Sequence, residues 1–199
     1  MADAGRVIAG SARGVRLAAP GPGTRPLADR VKQTLFAVLE PELYEAAVLD
    51  LFAGSGAAGI EALSRGATRA VFVEKDAGAV RTIHENLRRT GLEGPAAEVV
   101  RAEAIVWLQR GGLDDRKAVG VFDVVVVDPP YAETELLARA LGILGAEASG
   151  ILAPRARVIA KHFWRERPPA RIGLLASERE RRFGETALVF YRRLDRESE

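Results

Sequence analysis

The sequence predicts an α/β fold built on a mostly parallel sheet, and three observations carry that reading. From Ala47 onward, apolar runs of strand length alternate with segments whose apolar residues recur at helical spacing. The run Val121-Phe122-Asp123-Val124-Val125-Val126-Val127 is rich in β-branched residues, as expected of a strand covered on both faces. Finally, Val48 to Gly59 passes from an apolar strand through Gly54, Gly56 and Gly59 into helical spacing at Ala57, Ile60 and Leu63. Glycines at such a handover, where a helix start presents unpaired N–H groups, make a ligand cradle.

Taken in order, residues 5 to 18 read as two short strands joined by a Gly/Ser turn, with Arg13 and Arg16 on the second strand or just before it. Pro20 to Gly23 make a loop. Leu27, Val31, Leu35, Val38 and Leu39 then describe an amphipathic helix stopped by Pro41, whose other face offers Arg30 and Lys32. A strand at 48 to 52 leads to a helix from about Ala57 to Arg65, capped by Gly66. A strand from Ala70 to Val73 ends at Glu74, and a helix from about Ala77 to Thr90 ends at Gly91. A short strand near Val99 and Val100 leads through Glu103 and Ala104 to a helix containing Trp107. After the polar loop 111–120 come the apolar strand, a helix carrying Leu136, Leu137, Leu141 and Leu144, and a fifth strand at Val158 and Ile159. Two strands around Leu174-Leu175 and Ala187 to Tyr191 follow without an intervening helix, hence an antiparallel edge pair. Residues 1–40 are expected as a basic hairpin-and-helix extension and 41–199 as the catalytic domain.

At 199 residues, with no window of 18 apolar residues and no apolar leader in residues 1–30, a cytoplasmic protein away from membranes is expected. Zero cysteines exclude disulfides, thiolate metal sites and cysteine nucleophiles. The two histidines lie far apart, so no metal is expected. The net charge of +2 hides a segregation: residues 1–33 hold six Lys/Arg against two Asp/Glu, 34–153 eleven against eighteen, and 154–184 nine against three. Basic flanks around an acidic middle suit a polyanion such as nucleic acid, or else arginines scattered over a solvated surface.

Gly54-Ser-Gly-Ala-Ala-Gly59 matches G-x-G-x-x-G with Glu74 about twenty residues on, so a dinucleotide site competes. Asp50 tips the balance. A carboxylate ending the first strand opposes a pyrophosphate but suits the ammonium and sulfonium of S-adenosylmethionine, and at ~4 Å a unit-charge pair is worth roughly 4 kcal/mol at an effective dielectric of about 20. Glu74 can accept from ribose hydroxyls, and Glu103 with Ala104 lies where an adenine would end up.

Asp128-Pro129-Pro130-Tyr131, directly after the buried strand, is the second constellation. In a sheet whose order reverses between its first and fourth strands, this loop and the glycine loop are expected to flank one crevice. The Asp128 carboxylate and the Pro129 carbonyl can accept from an exocyclic NH2, and Tyr131 gives a flat face for a base. The prolines stiffen the loop and remove competing donors.

The chain resembles the RsmD family of bacterial methyltransferases, which modify the exocyclic N2 of a guanosine in small-subunit ribosomal RNA. The resemblance runs over roughly 6–193. It rests on Arg6-Val-Ile-Ala-Gly10, Arg13-Gly14, Thr24-Arg25-Pro26, Asp29-Arg30-Val31, Thr34-Leu35-Phe36, Asp50 to Gly56, Gly59, Glu61 to Gly66, Glu74, Asn86, Asp128 to Tyr131 and Gly184-Glu-Thr186. It implies a Rossmann-like class I fold, with a mostly parallel seven-stranded sheet, the antiparallel edge and the N-terminal extension. It implies S-adenosylmethionine as cofactor, held by Asp50, Phe52, Gly54, Gly56, Glu74, Glu103 and Ala104. It places catalysis on Asp128, Pro129, Pro130 and Tyr131, with the base flipped into that loop. RNA contact falls on Arg13, Arg16, Arg25, Arg30 and Lys32, and the implied partner is 16S rRNA within a 30S subunit or its assembly intermediate, met by a monomer. Two departures stand out. Phe183 replaces a tyrosine often found there, and Lys161-His162 follows the fifth strand where the family is variable and often acidic. His84 and Trp107 read as packing residues, whereas His162 and Trp164 are possible RNA contacts. An oxidoreductase, an RNA-binding assembly factor and a DNA adenine methyltransferase are the rival classes.

Overall fold

The structure is a computed structural model and describes residues 3–21, 29–114, 117–118, 121–130 and 133–195. Arg25 and Tyr131, both expected at functional positions, lie outside the described residues. The chain divides into two compact units, Met1–Ala102 and Glu103–Glu199.

The first unit opens with an antiparallel hairpin, β1 (Asp3–Arg6) and β2 (Arg16–Ala18). It continues through α1 (Asp29–Leu43), β3 (Ala47–Leu51), α2 (Ala57–Ser64), β4 (Arg69–Glu74), α3 (Ala77–Thr90) and β5 (Ala97–Arg101). Strands β3, β4 and β5 are parallel, with Leu49 opposite Val71 and Val71 opposite Glu98. Val48, Leu49, Leu51 and Ala70 to Val73 are all buried, because a parallel strand with helices on its faces has no wet side. The cap of α3 is as expected: Gly91 sits at φ 69°, and its N–H bonds back to the Arg88 carbonyl.

Two expectations for α1 are corrected. Pro41 lies within the helix rather than ending it. The helix runs on to Leu43, which is buried and anchors the last turn in the core. Lys32 belongs to the buried face, not to an RNA-facing one: it is fully buried, and its ammonium donates to the Arg6 carbonyl. Burial pushes the Lys32 pKa down, against the pull of Glu61 and Asp29.

The hairpin is fastened to the helices by polar side chains that the apolar periodicity does not mark. Glu61, fully buried on α2, accepts the Ile8 and Ala9 N–H groups at 2.7 and 3.0 Å and the Arg65 guanidinium at 2.8 Å. Ser64 accepts from Ala12 N–H at 3.0 Å and donates to the Ala9 carbonyl at 2.6 Å. Gly10 is required at this junction, because a Cβ there would stand 1.7 Å from the Ser64 carbonyl oxygen.

The second unit begins with α4 (Ala104–Gln109) and the two-residue strands β6 (Leu113–Asp114) and β7 (Lys117–Ala118). It continues with β8 (Phe122–Val127), α5 (Thr134–Gly145), β9 (Leu152–Phe163), β10 (Arg171–Ile172), β11 (Leu175–Phe183) and β12 (Thr186–Arg193). Its sheet order is β8-β9-β12-β11-β10, parallel between β8 and β9 and antiparallel thereafter. The fold is therefore the expected α/β class, parallel strands with an antiparallel edge. The described sheet strands number three in the first unit and five in the second, one more than the seven expected, the addition being two-residue β10.

The larger correction concerns β9. Its twelve residues extend well past Val158 and Ile159, since pairing with β12 continues to Phe163 opposite Thr186. Lys161 and His162 are therefore strand residues, both buried, rather than a loop that follows the strand.

Candidate active site

The glycine loop is held open by backbone geometry. Phe52, Gly54 and Gly56 take φ of 61°, 56° and 76°. Three left-handed residues in five turn the chain sharply from β3 into α2, and for Phe52 the conformation is costly, as at ligand-binding turns. The Gly56 N–H closes the turn on the Ala53 carbonyl at 2.7 Å. Gly59 packs against the Phe72 ring, where a Cβ would come within 2.3 Å. At Gly54 a Cβ would meet nothing nearer than the Phe52 carbonyl oxygen at 3.9 Å, so its outer side is open.

Two carboxylates brace this loop. Asp50 is 3% exposed, and its Oδ2 accepts the Gly59 N–H at 2.9 Å. Gly56, the N-cap of α2, supplies no side-chain cap, so the strand carboxylate caps the third helical N–H and meets the positive end of the helix. Asp50 thus shapes the cradle. Glu74, at the end of β4, ties Gly54 N–H to Oε2 and Asp76 N–H to Oε1, each at 2.9 Å. Each oxygen keeps a second lone pair for a ligand hydroxyl. Asn86 completes the support from α3: fully buried, it donates to the Ser55 and Ala18 carbonyls at 2.9 Å and accepts Ala18 N–H at 2.8 Å. This open, left-handed loop with an anchored acid beyond it fits a ribose-bearing cofactor. Of the basic residues expected to touch RNA, Arg13 and Arg30 are exposed without an ion-pair partner among the described residues, while Arg16 pairs with Asp3 at 2.5 Å.

In the second unit, Glu103 is the N-cap of α4, its Oε2 accepting Val106 N–H at 2.9 Å, and Ala104 is buried behind it. Asp128 leaves β8 at the parallel, buried end of the strand. Its Oδ1 meets the Lys161 ammonium at 2.5 Å, and its Oδ2 has no partner among the described residues. Burial pushes the Asp128 carboxyl up from the ordinary range, and Lys161 opposes that rise. The Pro130 carbonyl closes a turn to Glu133 N–H at 2.9 Å, whereas the Pro129 carbonyl has no partner among the described residues. Beside Pro129 and Pro130 opens a cavity of ≈ 490 Å³, walled by Leu137, Phe163 and Pro168 and edged by Lys161 and His162. That is the size of a small-molecule cleft. His162 is 3% exposed, with Nδ1 at 2.7 Å from the Phe163 carbonyl and Nε2 without a partner among the described residues. Trp164, named above as a possible RNA contact, is stacked under the Arg182 guanidinium at 3.6 Å from the ring centre.

Residues 5–192 match the model of a family described as conserved hypothetical protein 95. The chain belongs to that family. It is 36% identical over 189 residues to the "Putative rRNA methyltransferase YlbH" of Bacillus subtilis, covering 94% of this chain and 98% of the relative. To the "Ribosomal RNA small subunit methyltransferase D" of Escherichia coli K12 it is 35% identical over 189 residues, 94% of this chain and 89% of the relative. The structure of "Putative methyltransferase yhhF from Escherichia coli" superposes with a TM-score of 0.80 at 34% identity, over 95% of this chain and 97% of that one. The family is thus the RsmD family expected from the motifs, and the chain is an S-adenosylmethionine-dependent methyltransferase. No helix among the described residues is long and apolar enough to cross a membrane.

Glu61 and Asn86 carry part of the family resemblance and Lys161 departs from it, but the motifs assign none of them a role: Glu61 fastens the hairpin, Asn86 supports the glycine loop, and Lys161 meets Asp128. A signal for the first two exists in the sequence. Glu61 lies between Ile60 and Ala62-Leu63, and Asn86 shares a helical face with Ile83 and Leu87, so each is a polar residue in an apolar setting. Lys161 gives no comparable signal until the length of β9 is known.

Proposed function

We propose that this chain methylates the exocyclic N2 of a guanosine in 16S ribosomal RNA, with the base turned out of its stack into the Asp128 to Tyr131 loop. The observation that carries the reading is Asp128: a carboxylate with one oxygen open to a donor, beside two prolines and a cavity of ≈ 490 Å³. The names of the relatives, ribosomal RNA methyltransferases over nearly the whole chain, support RNA as the substrate.

When bound, S-adenosylmethionine supplies a methyl group on a sulfonium, a leaving group whose sulfur keeps the electron pair of the broken S–C bond. The work left to the protein is positioning, because the guanine amino nitrogen is a weak nucleophile with its lone pair delocalised into the ring. Asp128 Oδ2 and the Pro129 carbonyl accept the two N2–H groups, which turns the lone pair out of the plane. As N2 acquires positive charge, Asp128 stabilises it and then takes a proton. Glu74, held by Gly54 and Asp76, receives the ribose hydroxyls of the cofactor, while Asp50 fixes the loop around it. Arg13 and Arg30, and Arg25 beyond the described residues, meet RNA phosphates.

The test is nucleoside mass analysis of 16S rRNA from a strain lacking the gene, before and after treatment with the protein and S-adenosylmethionine. N2-methylguanosine is expected. N6-methyladenosine, or no methyl incorporation, overturns the proposal. Parallel treatment of naked 16S rRNA and 30S particles shows which is the substrate.

A further inference from the structure

Resting on the reading above, we infer that Lys161 is a positioning residue for methyl transfer: its ammonium holds Oδ1 of Asp128, which leaves Oδ2 to accept the substrate amine. The geometry is specific. Lys161 lies two residues from the end of β9, paired with Leu188 of β12, so its backbone is fixed on the antiparallel side. On the parallel side, β9 runs beside β8 with Ala160 opposite Val127, the residue before Asp128. The strand register therefore brings the lysine to the acid one step beyond the last pair, and the observed Nζ to Oδ1 distance is 2.5 Å. Both side chains are largely withdrawn from water, at 10% and 20% exposure. A lone aspartate in that setting would favour its neutral form, a poor partner for a nitrogen that becomes positive.

The other charged or titratable side chains around the cavity are Glu133 before α5, His162 on β9, and Glu166 and Arg167 beyond it. Arg167 is already paired with Glu180 at 2.7 Å. The ionisation of Asp128 responds to its burial and to Lys161, and the two act in opposite directions. Lys161 is thereby a pH-setting as well as an orienting group. Without it, Asp128 stays protonated to higher pH, and its free carboxyl can rotate away from the amine.

The experiment compares wild type, Lys161→Met and Lys161→Arg in methyl transfer to 16S rRNA between pH 6 and 9. Lys161→Met is expected to lower kcat at neutral pH by about 10- to 100-fold and to move the acid limb of the profile up by about one unit or more. Raising the pH recovers much of the rate, KM for S-adenosylmethionine stays nearly unchanged, and Lys161→Arg restores the wild-type limb. A pH-independent loss, or an unshifted profile, overturns the role. A second readout needs no substrate: the carboxyl carbon of Asp128, labelled with 13C and assigned by Asp128→Asn, is titrated by NMR in wild type and variant. A higher midpoint in Lys161→Met supports the inference even if methylation of 16S rRNA itself fails, which separates the two claims. If the Met variant does not fold, the wild-type titration decides alone, because a midpoint above pH 7 means that Lys161 does not keep the acid charged.

Discussion

The first unit ties Asp50, Glu61 and Glu74 chiefly to backbone amides, with the Arg65 guanidinium added at Glu61, and the second answers Asp128 with a lysine. Asp50 receives Gly59 N–H, Glu61 receives Ile8 and Ala9, and Glu74 receives Gly54 and Asp76. An amide N–H does not titrate and cannot swing away, so these acids work as struts in loops that must hold one shape. Lys161 carries a full charge on a flexible stem, and Asp128 keeps one oxygen unpartnered among the described residues. The difference separates carboxylates tied into loops from one that keeps an oxygen open, which is what the proposed methyl transfer requires.

The largest effect is expected from removing Asp128. Asp128→Ala should lower turnover by on the order of 100-fold or more, as loss of one preorganised polar group does. Affinity for S-adenosylmethionine, measured by calorimetry, should change by less than about threefold, since the struts are untouched. An equal fall in both quantities would break the contrast.

Removing a strut should do the opposite, costing stability rather than chemistry. Glu61→Ala leaves two amides and Nε of Arg65 without their acceptor, Glu40 remaining near the guanidinium, at a cost of about 3 kcal/mol, read from urea unfolding. Hydrogen exchange at Ile8 and Ala9 should speed up. A variant as stable as wild type would show that the hairpin does not depend on this acid.

Asp50→Asn is subtler, because an amide oxygen still accepts from Gly59 while the charge facing the helix end is gone. The expected loss is about 0.5–1 kcal/mol of stability and a fall in cofactor affinity of less than about threefold. Glu74→Ala, which removes a charged acceptor, should weaken cofactor binding by roughly 10- to 100-fold. Equal losses in the two variants would mean that Asp50 touches the ligand rather than the loop.

How much of this was legible in the sequence differs between the units for a physical reason. The cradle was legible because its determinants are local: glycines that take positive φ and an acid at the end of a strand lie within ten residues of one another. Helix α3, from Ala77 to Thr90 with its glycine cap, was equally local. Asp50 is legible as the acid that ends the strand, but its bond to the Gly59 amide is not, because that direction follows from the helix start. Lys32 was misplaced because an amphipathic count treats every lysine as solvated, and nothing local shows that its ammonium can reach the Arg6 carbonyl. Lys161 was out of reach because its role depends on the register of β9 between β8 and β12, strands that are distant in sequence.

The smallest predicted effect asks whether the contrast belongs to the units or to the kind of partner. Tyr191, fully buried on β12, donates its hydroxyl to the Pro169 carbonyl at 2.8 Å. It is thus a second-unit group answered by backbone, and burial pushes its phenol up to about 12. In the unfolded chain a tyrosine titrates near pH 10. Between those values the folded chain keeps a proton that the unfolded chain has lost, so the stabilisation is complete below about pH 10 and is lost as pH rises through about 12. Tyr191→Phe should cost about 1 kcal/mol at pH 8, the net worth of one buried hydrogen bond, and should flatten the fall in stability above pH 10. Urea midpoints at pH 8 and across the alkaline window read both effects. Parallel alkaline slopes in the two proteins would remove Tyr191 from the account; a flattened slope assigns the alkaline loss to the buried phenol, a second-unit group whose hydrogen bond, unlike that of Asp128, goes to the backbone.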